Sequence, residues 1–297
     1  MKKIIFTTVI GLALLASSCK KDQSQNPNPS NDLNASGTTL SLADLNSFNT
    51  PQGKKALANG LVGYYPFIGN ANDSSGNGNN GVLQDFYSGG QNTLTPPVLT
   101  QDKFGYQNSA YYFNGISDWI NVAHNPLLVG TTVSDGIGAP VNQFSIYIRF
   151  KSDTSGTVQT LVQSGDAHAG PYSAGLYINQ NQSIGFHWSF IIPPSGSSAD
   201  LATAANIIQP NKWYDLVLNY SNSAFTLYLN GRQVAINNSN PGSDFTTAGF
   251  FDVLRIGSTW ATFPGDFFKG TIDNVRFYNR ELSRKETLFL LIDRKLK

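Results

Sequence analysis

The side chains able to do chemistry are few in this chain of 297 residues. Only two glutamates occur, Glu281 and Glu286, both near the C-terminal end. A retaining glycosidase needs two carboxyl groups about 5–5.5 Å apart, and an inverting one about 6.5–9.5 Å. Alternate positions of one strand would present such a pair on one face. No strand-like run here carries two acidic residues at i, i+2 or i+4. The nearest aspartates, Asp266 and Asp273, stand seven positions apart. The retaining arrangement is missing, and only an inverting pair of aspartates from separate strands stays open. The histidines, His124, His168 and His187, form no His-x-His or His-Glu-x-x-His pattern, so zinc has little support. No Gly-x-Ser-x-Gly elbow sits at a strand-to-helix turn. Asn77-Gly78-Asn79-Asn80-Gly81 lacks the lysine and following helix of a phosphate loop and reads as a turn.

Cys19 is the only cysteine, and it closes the run Leu15-Ala16-Ser17-Ser18-Cys19. Lys2 and Lys3 and an apolar stretch from Ile4 to Leu15 precede it. This order resembles the lipobox of Gram-negative bacterial lipoproteins. The resemblance implies cleavage before Cys19, acylation of Cys19 and an outer-membrane, lipid-anchored location on the periplasmic or surface-exposed side. The apolar stretch is shorter than the roughly 20 residues that span a bilayer, so the mature chain is read as anchored, not spanning. With Cys19 acylated no disulfide can form. Lys20-Lys21-Asp22 resembles sorting signals that send some lipoproteins to the outer surface.

These features divide the chain into a signal peptide over 1–18, a flexible tether over 19–59 and a domain over 60–297. The tether opens on Gln23-Ser24-Gln25-Asn26-Pro27-Asn28-Pro29, which has almost nothing to bury. Leu40 to Phe48 is more apolar and reads as a turn of helix or a docking segment. Hydrophobic residues make up 40% of the chain, enough for a sizeable core, while charged residues are only 13%. A net charge of +1 without a basic stripe argues against nucleic acid.

From Leu61 onward the hydrophobic period is two. Phe144, Ile146, Ile148 and Phe150 share one face of a run, as do Tyr214, Leu216, Leu218 and Tyr220. Phe225–Leu229 and Arg232–Ile236 flank Asn230-Gly231, a type I′ hairpin signal. Further strands are expected over Leu61–Phe67, Ala110–Phe113, Trp119–Val122, Thr160–Gln163, Gly175–Ile178, Ile184–Phe190, Val253–Ile256 and Phe268–Tyr278. Longer loops are expected over Leu127–Val141 and Ile191–Pro210. Ser283-Arg284-Lys285-Glu286 is a capping box for a final helix, with Leu288, Leu291 and Ile292 as its apolar stripe. Many short strands and one late helix predict an all-β, two-sheet antiparallel sandwich.

Four blocks add a resemblance. They are Tyr64–Gly81, Tyr112-Phe113-Asn114-Gly115 with Asp118, Asn211-Lys212-Trp213-Tyr214 leading to Leu227–Gly231, and Phe268 to Glu286. In this order they resemble laminin-G-like, concanavalin A-like lectin/glucanase domains. The resemblance implies a jelly-roll sandwich and binding of carbohydrate or protein more often than catalysis. The glucanases of this fold carry a Glu-x-Asp-x-Glu type motif that this chain lacks.

Asp273 shares a strand face with Thr271, Val275 and Phe277, which sets a carboxylate at the edge of the core. The turn Asn70-Ala71-Asn72-Asp73-Ser74-Ser75-Gly76 offers oxygen ligands of the kind calcium takes. The resemblance brings the first and last blocks together, often with a calcium between them. A structural calcium at Asp73 and Asp273, with Asn70, is therefore expected. The alternative is an Asx turn at Asp73 and an Asp273 paired with Arg276, Arg280 or backbone N–H groups.

Sugar rings stack on aromatic faces. Trp213 and Trp119 read as packed residues. Trp188 lies between Phe186 and Phe190 on one face and serves either as core or as a platform. Trp260, in Ser258-Thr259-Trp260-Ala261, is the expected stacking residue. The function expected is a non-catalytic, lectin-like module binding glycans at the cell envelope. A protein-binding adhesion or scaffold module contacting a cell-surface protein is the first alternative, and a cryptic glycoside hydrolase the second.

Overall fold

The computed structural model describes residues 42–48, 50–85, 95–123, 143–165, 172–192, 195–221, 224–237, 254–259 and 266–293. In chain order these form α1 (Leu42–Phe48), α2 (Pro51–Ala58), β1 (Leu61–Tyr65), β2 (Gly81–Gln84), β3 (Val98–Thr100), β4 (Ala110–Asn114) and β5 (Trp119–Val122). There follow β6 (Gln143–Ser152), β7 (Gln159–Gly165), β8 (Tyr172–Ile178), β9 (Ile184–Ile192), β10 (Ser195–Ala202) and β11 (Trp213–Ser221). The last elements are β12 (Ala224–Leu229), β13 (Arg232–Asn237), β14 (Leu254–Ile256), β15 (Lys269–Tyr278) and α3 (Arg284–Ile292).

The strands make two antiparallel sheets. The first has eight strands in the order β13-β12-β11-β6-β15-β4-β3, with β1 also on β15; the second has seven, β10-β9-β8-β7-β14-β5-β2. The alternation in the sequence explains the layering. Phe144, Ile146, Ile148 and Phe150 of β6 face inward, directly opposite Tyr220, Leu218, Leu216 and Tyr214 of β11. Two of these pairs stack, Phe144 on Tyr220 at 5.5 Å and Phe150 on Tyr214 at 5.7 Å. Phe186 of the second sheet meets Phe225 of the first at 5.0 Å, closing the middle of the sandwich. The Asn230-Gly231 turn has positive φ at both residues, 49° and 75°, as a type I′ hairpin requires.

The outer face of the first sheet is covered. Phe48, Leu57, Leu282, Phe289 and Leu290 pack onto Tyr147, Val217 and Tyr278. Phe48 and Phe289 lie 4.7 Å apart, Lys285 pairs with Asp44 at 2.7 Å, and Arg280 donates to the Ala56 and Asn59 carbonyls. Ser283 and Glu286 form the expected capping box. The docking residues differ from the expected stripe: Leu288 is buried, but Phe289 and Leu290 join it, while Ile292 is exposed. The helix meets both the sheet and α1, so its buried surface is wider than a single stripe.

Three other expectations change. The stretch read as tether up to 59 contains α1 and α2, whose start Thr50 caps by accepting the Gly53 N–H at 3.2 Å. The loop expected over Ile191–Pro210 contains β10, a Ser-rich edge strand held by β9 in continuous register. A bulge between Ile272 and Asn274 reverses the facing of Asp273. Ile272, Val275 and Phe277 go to the core, and Asp273 goes to the outer face beside Arg149. No helix among the described residues is long and apolar enough to cross a membrane.

Candidate functional site

The outer face of the second sheet is arranged as a polar row across its strands. Its inward residues are apolar, among them Val162, Leu176 and Phe186. Its outward residues fall into one register: Asn121 opposite Arg255, Arg255 opposite Gln163, Gln163 opposite Gly175, Gly175 opposite His187, and His187 opposite Asp200. Side chains alternate along each strand, so a shared register gathers these groups onto one strip.

Over β7, β8 and β9 this strip sinks into a depression of about 330 Å³, lined by Thr160, Gln163, Tyr177, Asn179, His187 and Asp266 among others. That volume falls in the range of small-ligand sites, roughly 300–1,000 Å³. Two glycines shape the floor. A Cβ on Gly175 would lie 2.1 Å from Gln163 Oε1, and one on Gly185 would lie 2.4 Å from the Tyr177 ring. Because Gly185 has no side chain, the ring of Tyr177 lies down across β9. Burial first, and then the Asp200 carboxylate, push the Tyr177 phenol up, so it stays an O–H donor. His187 Nδ1 lies 2.7 Å from Asp200 Oδ1, which orients the imidazole. The Thr160 N–H donates to the Asp266 carbonyl at 2.8 Å and fixes Asp266 at the rim.

The residues expected from the sequence are distributed differently. Trp188 is fully buried, and its inward position between the sheets leaves no ring face for a sugar. It is core, not platform. Trp260, His124 and His168 lie outside the described residues, as do Cys19 and the loop over Leu127–Val141. Trp119 points outward on β5, lies tilted against Phe267 at 6.3 Å and is 6% exposed. Its indole N–H has no partner among the described residues. Trp213 is half-buried beneath Lys151, and Tyr214 takes the core position instead.

The residues expected to hold calcium have other partners. Asp73 Oδ1 accepts the Tyr64 and Ser75 N–H groups at 2.9 and 2.8 Å, and Oδ2 accepts the Asn79 N–H at 3.1 Å and the Ser75 hydroxyl at 2.9 Å. Asn70 Oδ1 accepts the Asn72 N–H at 2.9 Å. Asp273 faces the Arg149 guanidinium at 3.5 Å, on the outer side of the first sheet. A carboxylate saturated by four donors and another facing a guanidinium do not fit a shared calcium. Among the described residues no group of three or more His, Cys, Asp or Glu is placed to hold a metal ion.

Tyr177 and Gln163 were not singled out by sequence, and His187 and Asp266 were met there only as a histidine outside any zinc pattern and an aspartate seven positions from Asp273. The available signal was polar or aromatic residues alternating with core residues, together with glycine at two outward positions.

Comparison with known proteins agrees with the fold. The profile of the family described as the concanavalin A-like lectin/glucanases superfamily (Laminin_G_3) matches residues 114–287. No curated protein matches the sequence. Among solved structures, domain 4 of AbnA, a GH43 extracellular arabinanase from Geobacillus stearothermophilus, in complex with arabinotriose, is similar at 21% identity. That match covers 78% of this chain and 98% of that one, with a TM-score of 0.50. The binding domain of botulinum neurotoxin serotype D/C VPI 5993 is similar at 12% identity over 78% of this chain and 52% of that one, TM-score 0.54. The binding domain of botulinum neurotoxin DC, in complex with SialylT, is similar at 13% identity over 80% and 52%, TM-score 0.52. This chain thus spans about half the length of the neurotoxin domains. At these identities the likeness is one of fold.

Proposed function

This chain belongs to the concanavalin A-like lectin/glucanases superfamily, and we propose that it is a non-catalytic glycan-binding module whose site is the outer face of the second sheet. One observation carries the reading. Helices cover the outer face of the first sheet, while that of the second holds a polar depression with a tyrosine ring laid across its floor. Tyr177 offers a stacking surface, and Gln163, His187, Asn179 and Asp266 offer hydrogen bonds to hydroxyl groups. The arabinanase domain of the same fold in complex with arabinotriose supports a sugar ligand.

Binding without cleavage suits the groups available. Among the described residues Asp266 is the only carboxylate lining the depression, and Asp200 stands behind His187. Hydrolysis needs a second carboxyl group across the scissile bond. Cys19 is read as the lipid anchor of an outer-membrane protein. α1 and α2, the first described elements of the chain, pack on the covered face of the first sheet.

A protein-binding role draws on another observation. The edge strands β2 and β3 expose Val82 and Val98, at 52% and 50%. The two readings separate on a glycan array probed with the mature chain in detergent, beside the Tyr177→Ala variant. Retention of one sugar class by the wild type, lost in Tyr177→Ala, is expected. No retention on any glycan defeats the proposal, and release of reducing sugar from a bound polysaccharide would make the protein an enzyme.

A further inference from the structure

We infer that the depression on the second sheet prefers sugars that carry a methyl group, either at C6 of a 6-deoxyhexose or on the N-acetyl group of a hexosamine. The inference rests on the glycan-binding reading of that face and names its ligand class. Two side chains with apolar surface line the depression together. One is Tyr177, whose ring lies over Gly185. The other is Val158, which precedes β7 and is 36% exposed. Of the large apolar side chains exposed among the described residues, Val158 alone lines this depression. A lone exposed valine is ordinary on a protein surface. Its place beside an aromatic ring in one depression is what carries the inference. A ligand that covers the isopropyl group gains the free energy of taking apolar surface out of water.

The register sets the spacing of the two. Thr160 of β7 lies directly opposite Tyr177 of β8, and Val158 stands two residues before Thr160. Side chains return to one face at every second residue, so Val158 and Tyr177 are diagonal neighbours across the strands, about 7–8 Å apart. A pyranose laid on the Tyr177 ring ends short of Val158, and a group projecting from the pyranose edge reaches the isopropyl group. A methyl there is buried against carbon, whereas a hydroxymethyl in the same place gives up water from its oxygen. Every sugar brings hydroxyl groups that both donate and accept, so polar contacts act alike on matched sugars that differ only in this substituent. The apolar pair tells them apart.

The test measures affinities of matched sugars for the mature chain in detergent: L-fucose against L-galactose, and N-acetylglucosamine against N-formylglucosamine. The first pair exchanges a methyl for a hydroxymethyl and the second removes a methyl, so the two arms separate the two sources of the group. In one pair the methyl-bearing member is expected to bind about fourfold tighter, the ~0.8 kcal/mol of one buried carbon group. Val158→Thr, which replaces one Val158 methyl by a hydroxyl, should bring the ratio of that pair close to one. Ratios near one in both pairs for the wild type, or a preference that survives Val158→Thr, would overturn the methyl preference while leaving a glycan site standing. If none of the four sugars binds while the array retains another glycan, the ligand class named here falls and the site stands. If the array is empty as well, the glycan reading falls with it.

Discussion

On the first sheet the outward positions of β6, β11 and β15 hold Tyr147, Arg149, Asp215 and Arg276; on the second those of β7, β8 and β9 hold Gln163, Gly175, Tyr177 and His187. The first set is buried, while in the second Gln163 is buried and Tyr177 and His187 stay partly exposed in a depression. The difference lies in what each set is paired with. Arg149 donates to Asp215 at 2.6 Å and to the Leu290 carbonyl at 2.7 Å, and reaches the Asp293 carbonyl at 3.3 Å. The guanidinium thus caps the negative C-terminal end of α3 from the sheet below. Asp215 also accepts from Tyr147 at 2.7 Å and Lys103 at 2.5 Å, and Arg276 pairs with Asp293. Three cations face three carboxylates, so the charges can be buried. Among the described residues no helix lies over the second face, where His187 pairs with Asp200 and Tyr177 lines the depression. On the first face, charged groups that satisfy each other hold a helix down; on the second, Tyr177, Asn179 and His187 line the depression.

The largest effect should come from breaking the covered face. Arg149→Met leaves Asp215 and Asp273 without their shared cation and α3 without its cap, at about 3–5 kcal/mol. Denaturant unfolding measures it; a loss under about 1 kcal/mol would show that the ion cluster does not hold α3. Phe289→Ala empties the contact with Phe48 and should lower stability by about 3 kcal/mol, with earlier proteolysis around α1 and α2. Unchanged proteolysis there would place the attachment of these helices elsewhere. The open face should respond in the opposite sense. Tyr177→Ala should shift stability by no more than about 1 kcal/mol while abolishing glycan retention. Gly185→Ala, whose new Cβ meets the Tyr177 ring, should also lose binding; normal retention would show that the lie of that ring does not matter.

Acidity sharpens the contrast with a smaller effect. Burial raises the Asp118 carboxyl to about 6, against the Asn114 N–H that hydrogen-bonds to it. Between its unfolded value near 4 and that folded value the native state binds more protons, so stability grows as pH falls through this window. Asp215 has the opposite sign. Burial alone would raise it, but Arg149 and Lys103 hold it below the usual carboxylate range. Its contribution is present above about pH 4 and lost as pH falls further. The melting temperature should hold or rise from pH 7 to 5 and drop below about 4, and Asp118→Asn should remove the rise. A steady fall from pH 7 downward would contradict the Asp118 assignment. The smallest effect is that of a chelator. With Asp73 and Asp273 held by other partners, EDTA should leave the melting temperature unchanged, and a drop of several degrees would restore a structural metal.

Most of the sandwich was legible because inward residues recur every second position over long runs. Trp119–Val122 matches β5 to the residue, and the Asn230-Gly231 turn and the Ser283 cap sit where their side chains require. Short edge strands were not legible: β2, β3 and β10 carry too few apolar residues to show a period. The site was less legible than the fold. Trp188 looks like a platform by residue type, but its neighbours Phe186 and Phe190 in sequence do not reveal which side of the strand the second sheet turns inward.

Alternation and local turn chemistry are written in consecutive residues, so the chain by itself determined a two-layer β protein, its hairpin and its last helix. The side of Asp273, the sealing of one outer face and the polar row on the other were decided only by partners distant in sequence. A period of two distinguishes two faces of a strand but not what lies against them. One extra residue at a bulge exchanges those faces, and the pairing across β15 and β6 alone sets where that residue falls.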